Sequence, residues 1–410
     1  MRKTELLIPA GSLDVLKTAV VYGADAVYIG GEAFGLRAKA HNFSKEDMKE
    51  GIAFAHSRGV KVYVTANILA HNSDLPGVED YFEELKEVRP DALIISDPGV
   101  FAIAKRVVPE IDLHISTQAN NTNYGTYQFW HEMGATRVVS ARELSLEEIK
   151  EIRSRIPEQM EIETFIHGAM CISYSGRCLL SNFLVGRDAN QGACTHPCRW
   201  KYSIVEETRP GEYMPVYENE RGTYIFNSKD LCMIEHIPEL IEAGIDSMKV
   251  EGRMKTALYV ATVARTYRRA IDDYQKSPEL YRQNMEWYKE EIGKCTYREF
   301  TTGFFFGKPG EDAQIYDSNT YVKNYTYLGT VEETDERGCV RLEQKNKFSV
   351  GETIEIMKPD GRSLEVVVKG IRDMDGNVQE SAPHPKQQLM IEFEAGISAE
   401  PYDILRKKAE

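Results

Sequence analysis

The sequence predicts a closed (β/α)8 barrel of TIM type, with a long insertion after its seventh strand and a small antiparallel β-barrel at its C-terminal end. Three observations predict it. Up to about residue 254, short apolar, β-branched runs alternate with amphipathic helical stretches. Several of those helices close on a glycine just before the next run: Gly23-Ala24-Asp25, Gly59-Val60, Gly134-Ala135 and Gly244-Ile245-Asp246. Glycine tolerates the left-handed backbone that ends a helix, so this rhythm marks βα repeats. From about residue 301 the pattern changes to short alternating runs between turn signals such as Pro359-Asp360-Gly361 and Asp375-Gly376-Asn377.

The strands are read as Leu6–Pro9, Ala26–Gly30, Val62–Ala66, Ala92–Ser96, Leu113–Thr117, Arg137–Ser140, Glu161–His167 and Ser247–Glu251. Near-continuous apolar strands are buried on both faces, as a parallel barrel requires. The competing open doubly wound sheet would carry a Gly-x-Gly-x-x-Gly turn after its first strand, and none follows Pro9. Helical stretches include Ser12–Tyr22, Ser44–Arg58, Leu146–Arg155, Leu231–Ala243, Lys255–Tyr274 and Pro278–Ile292. The tail strands are Tyr325–Val331, Cys339–Leu342, Thr353–Met357, Ser363–Lys369 and Gln388–Phe393. The expected domains are residues 1–300, with a cysteine-rich insertion at 169–230, and residues 301–410. That insertion far exceeds the usual βα loop and leaves the barrel at its catalytic face.

The 410 residues carry 50 Lys and Arg against 64 Asp and Glu, a net charge of −14. This excludes a generally basic nucleic-acid coat but not a local basic face. Met1–Glu5 leads straight into Leu6-Leu7-Ile8 with no apolar leader, and no run approaches the roughly 18 residues of a membrane span. A cytoplasmic protein with no membrane association is expected.

Five of the seven cysteines, Cys171, Cys178, Cys194, Cys198 and Cys232, fall in or beside the insertion. A disulfide framework is not expected in the cytosol. Thiolates are soft ligands for zinc or iron–sulfur clusters. Structural zinc usually takes two tight pairs, and only Cys194 and Cys198 form one. The intervals of 6, 15 and 3 residues between the first four suit an iron–sulfur cluster held across loops. Four of the five thiols suffice: Cys171, Cys178 and Cys194, then Cys198 or Cys232, with Cys198 favoured. Cys295 and Cys339 read as small buried hydrophobes.

At this segment the chain resembles the peptidase U32 family, the collagenase-like proteases. The resemblance rests on Glu163-x-Phe165, Gly168-Ala169-Met170-Cys171 and Gly176-Arg177-Cys178-Leu179-Leu180-Ser181. It extends to Pro9-Ala10-Gly11-Ser12, Arg187-Asp188-x-Asn190-Gln191-Gly192-x-Cys194, Asn227-Ser228-Lys229-Asp230-Leu231 and Lys249-x-Glu251-Gly252-Arg253, so it covers nearly the whole chain. The chain is most similar to the branch that hydroxylates wobble uridine of tRNA at C5. That resemblance implies prephenate as co-substrate, a [4Fe-4S] cluster on the matching cysteines, tRNA as partner and a paralogous family member as a further one.

Residue patterns bear on the protease alternative. There is no Gly-x-Ser-x-Gly, and His131-Glu132 lacks the second histidine of a zinc protease. A cysteine nucleophile would be paired as Cys171 with His167 or Cys194 with His196, and cluster ligation would occupy the same thiols. A third reading is a non-catalytic RNA-binding protein with a structural metal site.

Polar residues at strand ends supply the catalytic candidates Glu163, His167, Lys249 and Glu251; Glu32, Asn67, Asp97, His114 and Gln118 also end strands. Arg177, Arg187, Arg199 and Arg253 are substrate-binding candidates, since guanidinium forks suit phosphates and carboxylates. Arg253 is the first choice for prephenate. Tyr174, with Trp200 and Tyr202, is a stacking candidate for a splayed base. Arg265, Arg268 and Arg269 are expected near the same rim.

Overall fold

The computed structural model describes residues 4–35, 42–171, 173–200, 204–205, 213–214, 228–309, 313, 315, 321–394 and 396–409. The chain divides into two compact units. The first comprises residues 1–20, 24–254 and 298–321, and the second residues 21–23, 255–297 and 322–410.

In the first unit eight parallel strands close a ring. They are Glu5–Pro9, Ala26–Gly30, Lys61–Ala66, Ala92–Ile95, Asp112–Ile115, Arg137–Val139, Glu161–Ala169 and Ser247–Val250. The eighth strand pairs with the first (Leu7 with Lys249) and with the seventh (Lys249 with Phe165), which completes the closure. Three aspartates that precede strands, two of them in the glycine rhythm, have a specific task here. Asp25, Asp91 and Asp246 each stand just before a strand and turn a carboxylate oxygen to the neighbouring strand. They accept the backbone N–H of Leu6 at 2.9 Å, Val62 at 2.7 Å and Ile162 at 2.8 Å. Each satisfies a donor that strand stagger would otherwise orphan.

The helices between strands begin where side chains take the exposed helix N–H groups. Ser145 and Glu148 form a capping box at Leu146–Arg155, and Asp97 accepts from Gly99 and Val100 at the start of Pro98–Val107. Asp97 is therefore a helix cap. Gly134, at φ 98°, closes the helix Tyr124–Met133.

Strand seven runs on past the ring. Its residues from His167 to Ala169 pair antiparallel with a short strand, Asp230–Cys232, which in turn pairs with Phe300–Thr301. The expected helix over 231–243 thus begins later, as one short turn at Ile234–His236 and a helix at Ile237–Glu242. The overrunning edge of strand seven captured Leu231 and Cys232 in a ladder, which overrides their helical pattern.

The barrel interior is unusual in being charged. Arg137, 3% exposed, donates to Glu5 at 2.6 Å and to Glu163 at 3.1 Å, and pairs with Glu161 at 2.6 Å. Glu163, fully buried, also receives Lys249 Nζ at 2.6 Å. Glu5 further accepts from Tyr63 at 2.7 Å and Ser247 at 2.8 Å. Burial would raise the Glu5 carboxyl, but Arg137 outweighs it and holds the group below the usual carboxylate range. His114 lies edge-on to Tyr63 at 4.8 Å between centroids. Burial, then Arg137 and Lys249, drives its pKa well below the usual value, so it is a neutral core group.

In the second unit six strands close an antiparallel barrel: Tyr325–Thr334, Val340–Glu343, Thr353–Met357, Ser363–Asp373, Gln388–Phe393 and Ile404–Lys408. Leu328, Leu342, Phe348, Ile356 and Ile391 are among its core side chains. The unit also holds the helices Ala257–Lys276, Pro278–Gln283 and Met285–Ile292. Arg265, expected at the barrel rim, is instead buried here. It pairs with Glu291 and donates to the carbonyls of Lys358 at 2.8 Å and Arg362 at 3.0 Å. Arg268 pairs with Asp272, and Arg269 stacks on Trp287 at 4.4 Å. The basic helix face is thus consumed by structure.

Arg137→Ala would strand Glu163 and Glu5 with part of their compensation gone. The expected loss is about 3–5 kcal/mol in urea denaturation, and a loss below about 1 kcal/mol would contradict the network's role. Glu291 gives a pH test. Burial raises its pKa, but Arg265 and Arg406 outweigh burial and leave the folded value below 4.5. Its contribution is therefore present above the ordinary carboxylate range and lost as pH falls through the folded value. Denaturation midpoints between pH 3 and 7 should fall in acid for the native chain, with a flatter profile for Glu291→Gln.

Candidate active site at the barrel mouth

One cavity opens at the C-terminal ends of the barrel strands. Tyr28, Thr65, Ile94, Phe165, Lys249, Glu251 and Arg253 come from the strands and their ends, and Arg142 from just past strand six. The insertion supplies Cys171, Tyr174, Cys178, Asn190, Cys194, His196 and Cys198. Four of the five clustered cysteines therefore face one space. Cys232 lies elsewhere, in register with His167 on the short strand, and does not line the cavity.

Polar ties hold the insertion over the mouth. Asn120 Nδ2 donates to the Ser175 carbonyl at 2.9 Å, and the Leu69 N–H donates to the Asn190 carbonyl at 3.2 Å. Gln191 donates to the Leu69 carbonyl. Asp188 accepts from the Asn190 N–H at 2.7 Å, and Asn190 Nδ2 reaches the Cys178 carbonyl at 3.3 Å. The Arg-Asp-x-Asn-Gln-Gly stretch is thus a scaffold that positions the turns bearing Cys178 and Cys194. Gly176, at φ 74°, passes so close to strand five's loop that a Cβ would lie 2.8 Å from the Gln118 carbonyl oxygen.

Cysteine thiols are the type of ligand that a soft metal takes. None of the seven cysteines is in a disulfide among the described residues. The His196 N–H donates to Cys194 Sγ at 3.4 Å, the kind of donor that stabilises thiolate charge. Among the described residues no three Cys, His, Asp or Glu side chains are grouped closely as a metal's ligands. The four thiols share a cavity rather than a ready-made coordination shell.

Two guanidinium groups enter the cavity. Arg253, mostly buried, donates to Thr65 Oγ1 at 2.9 Å. Its place depends on two glycines, for a Cβ at Gly11 would collide with the Arg253 carbonyl oxygen and one at Gly30 with its guanidinium. The Pro-Ala-Gly-Ser and Glu-Gly-Arg stretches of the sequence meet at that contact. Arg142 stacks over Phe165 at 4.0 Å, donates to the Ala169 carbonyl at 3.2 Å and pairs with Glu251 at 3.1 Å. Lys249 lies 4.4 Å over the Tyr28 ring while bonded to Glu163.

Of the four catalytic candidates, Lys249 and Glu251 line the cavity. Glu163 lies within the charged barrel interior, and His167 is buried against Phe300 with centroids 5.6 Å apart. Of the binding candidates, Arg253 and Tyr174 line it; Arg177 is exposed and Arg187 half-buried outside the lining. The side chain of Arg199 lies outside the described residues, as does Tyr202. Asn67 and Gln118 line the cavity, whereas Glu32 does not. Arg142, Thr65, Tyr28 and Phe165 were not singled out from sequence. Arg142 was within reach of the strand-end criterion, since it stands three residues beyond Val139, the last residue of strand six.

The sequence pattern of peptidase family U32 matches residues 11–315, and that of the U32 C-terminal domain matches residues 323–406. The chain belongs to peptidase family U32. Among its relatives, two span nearly its full length. The tRNA hydroxylation protein P1 of Bacillus subtilis is 43% identical, covering 99% of this chain and 95% of its own. The tRNA hydroxylation protein P of Escherichia coli is 38% identical, covering 93% and 92%. A further relative, the 23S rRNA 5-hydroxycytidine C2501 synthase of Escherichia coli, is 34% identical over 78% of this chain and 48% of its own. In this chain no helix among the described residues is long and apolar enough to cross a membrane.

The two glycines around Arg253 make a paired test. Gly11→Ala meets backbone and is expected to cost about 1–3 kcal/mol in thermal or urea unfolding. Gly30→Ala meets the far end of a flexible side chain. It should cost less than Gly11→Ala while dislodging Arg253 from Thr65, seen as weakened anion binding with the fold retained.

Proposed function

We propose that this chain is a tRNA-modifying enzyme that hydroxylates wobble uridine at C5, with prephenate as co-substrate and a [4Fe-4S] cluster. The observation that carries the reading is the convergence of Cys171, Cys178, Cys194 and Cys198 on the cavity that also holds Lys249, Arg142 and Arg253. The names of the full-length relatives, which refer to tRNA hydroxylation, support the substrate class. A cytoplasmic location follows from that substrate, and a paralogue is a reasonable partner because Bacillus subtilis has both a P1 and a P2 relative.

Cys171, Cys178 and Cys194 would hold the cluster, with the fourth thiol from Cys198 or Cys232. When bound, such a cluster supplies electron transfer or a Lewis-acidic iron. The chain's own residues do the rest. Arg253 offers a fixed fork for a carboxylate. Tyr28, Ile94 and Phe165 give an apolar wall for a ring, and Asn67, Ser116 and Gln118 add polar partners. Lys249, bonded to Glu163, keeps its ammonium at the cavity wall. Tyr174, exposed at the cavity edge, gives a surface on which a splayed base can stack.

Nucleoside analysis of tRNA from a strain lacking this gene and any paralogue should show loss of 5-hydroxyuridine and its derivatives; unchanged levels would reject the reading. Anaerobically isolated protein should carry iron and sulfide. Serine at Cys171, Cys178 or Cys194 should each abolish that content, and serine at only one of Cys198 and Cys232 should do the same.

A further inference from the structure

The cysteine insertion carries a surface that lies outside the cavity. Between residues 169 and 200 the sequence has three arginines against one aspartate, in a chain whose net charge is −14. That aspartate, Asp188, is engaged by the Asn190 N–H at 2.7 Å and by Asn182 Nδ2 at 3.4 Å. Arg177 and Arg187 make no side-chain hydrogen bond or ion pair among the described residues. They stand before and after the helix Leu180–Val185, which turns apolar side chains to water. Phe183 is 86% exposed, and Leu179, Leu184 and Val185 are exposed beside it. The Phe183 ring has no aromatic or cationic partner among the described residues. Contiguous exposed apolar surface rimmed by polar groups marks an interaction site.

We infer that Phe183, with Arg177 and Arg187 before and after its helix, is the platform for the single-stranded nucleotides that flank the target base of the RNA. The inference rests on the tRNA reading above and assigns where the strand around the target base lies. Two observations favour RNA over a protein partner. The first is continuity with the mouth. Leu180 lines the cavity, and Phe183, three residues on, is its neighbour on the helix surface. The cavity, of about 190 Å³, is far too small for an RNA loop, so nucleotides next to a bound base must lie outside it. The second is charge. Two cations stay unmatched on an insertion of an otherwise acidic chain, which suits a polyanion. Guanidinium groups hold phosphates without reading bases, and an aromatic ring stacks on any base. This surface therefore sets the affinity and register of the strand, and the cavity reads the target base. No covalent step is involved.

Binding of a fluorescent anticodon stem-loop with a wobble uridine to the full-length chain, followed by anisotropy at several salt concentrations, tests this. The variants are Phe183→Ala, Phe183→Trp, Arg177→Gln and Arg187→Gln, each verified as folded by its melting temperature. Phe183→Ala should bind at least about fivefold more weakly, the low end for loss of one stacked base, with its salt dependence unchanged. Phe183→Trp should restore the affinity. Each arginine variant should bind more weakly and lower the slope of log K against log salt by about 0.7, the share of one phosphate contact on a single strand. Native chain that binds the RNA, with Phe183→Ala equal to it or with both arginine slopes unchanged, would overturn the inference and leave the hydroxylation reading standing. So would a Phe183→Ala chain that changes its self-association in sedimentation while keeping its RNA affinity, since the face would then belong to a protein partner. No binding of the RNA or of whole tRNA by the native chain would overturn both.

Discussion

Glu163 is the hinge of the molecule's electrostatics. It has no exposure to water, and it receives Lys249 from the mouth side and Arg137 from the other end of the ring. A lone carboxylate at that depth would be untenable, and so would the Lys249 ammonium without it, whereas Arg137 also has Glu5 and Glu161. Because Glu163 fixes Lys249, the ammonium stands at one point of the cavity wall with its charge already matched. The polar interior is therefore layered: a charge-matched core, and above it a wall where Arg142 pairs with Glu251 and Arg253 is held at Thr65.

The cysteine segment is positioned by the same architecture. Arg142 holds the Ala169 carbonyl, two residues before Cys171, and Asn190 holds the Cys178 carbonyl. The barrel loops after strands three and five grip the segment through Leu69, Gln118 and Asn120. None of these contacts involves a thiol. The scaffold sets where the cysteine-bearing turns lie through backbone carbonyls and side-chain amides.

Much of the fold was legible in the sequence because the barrel strands are buried on both faces and most read as short, near-continuous apolar runs. Ala26–Gly30 and the tail strands Thr353–Met357 and Gln388–Phe393 match their expected limits. Leu231–Cys232 was misread because its partner, the end of strand seven, lies more than sixty residues earlier in the chain. Arg265 was misread for a similar reason. The sequence shows a cation on a helix but not Glu291 or the carbonyls of Lys358 and Arg362 that consume it. The thiols announced themselves by clustering. Arg142 did not, since it is a single charge after a short strand and Glu251 follows 109 residues later.

Asp25, Asp91 and Asp246 leave a mark on how such a protein can change over time. They write the pairing of the ring at its N-terminal rim, opposite the cavity. Lengthening or rewriting a loop at the opposite rim does not disturb the alignment of the strands beneath it. A lineage built this way can alter what it recognises while inheriting its frame intact.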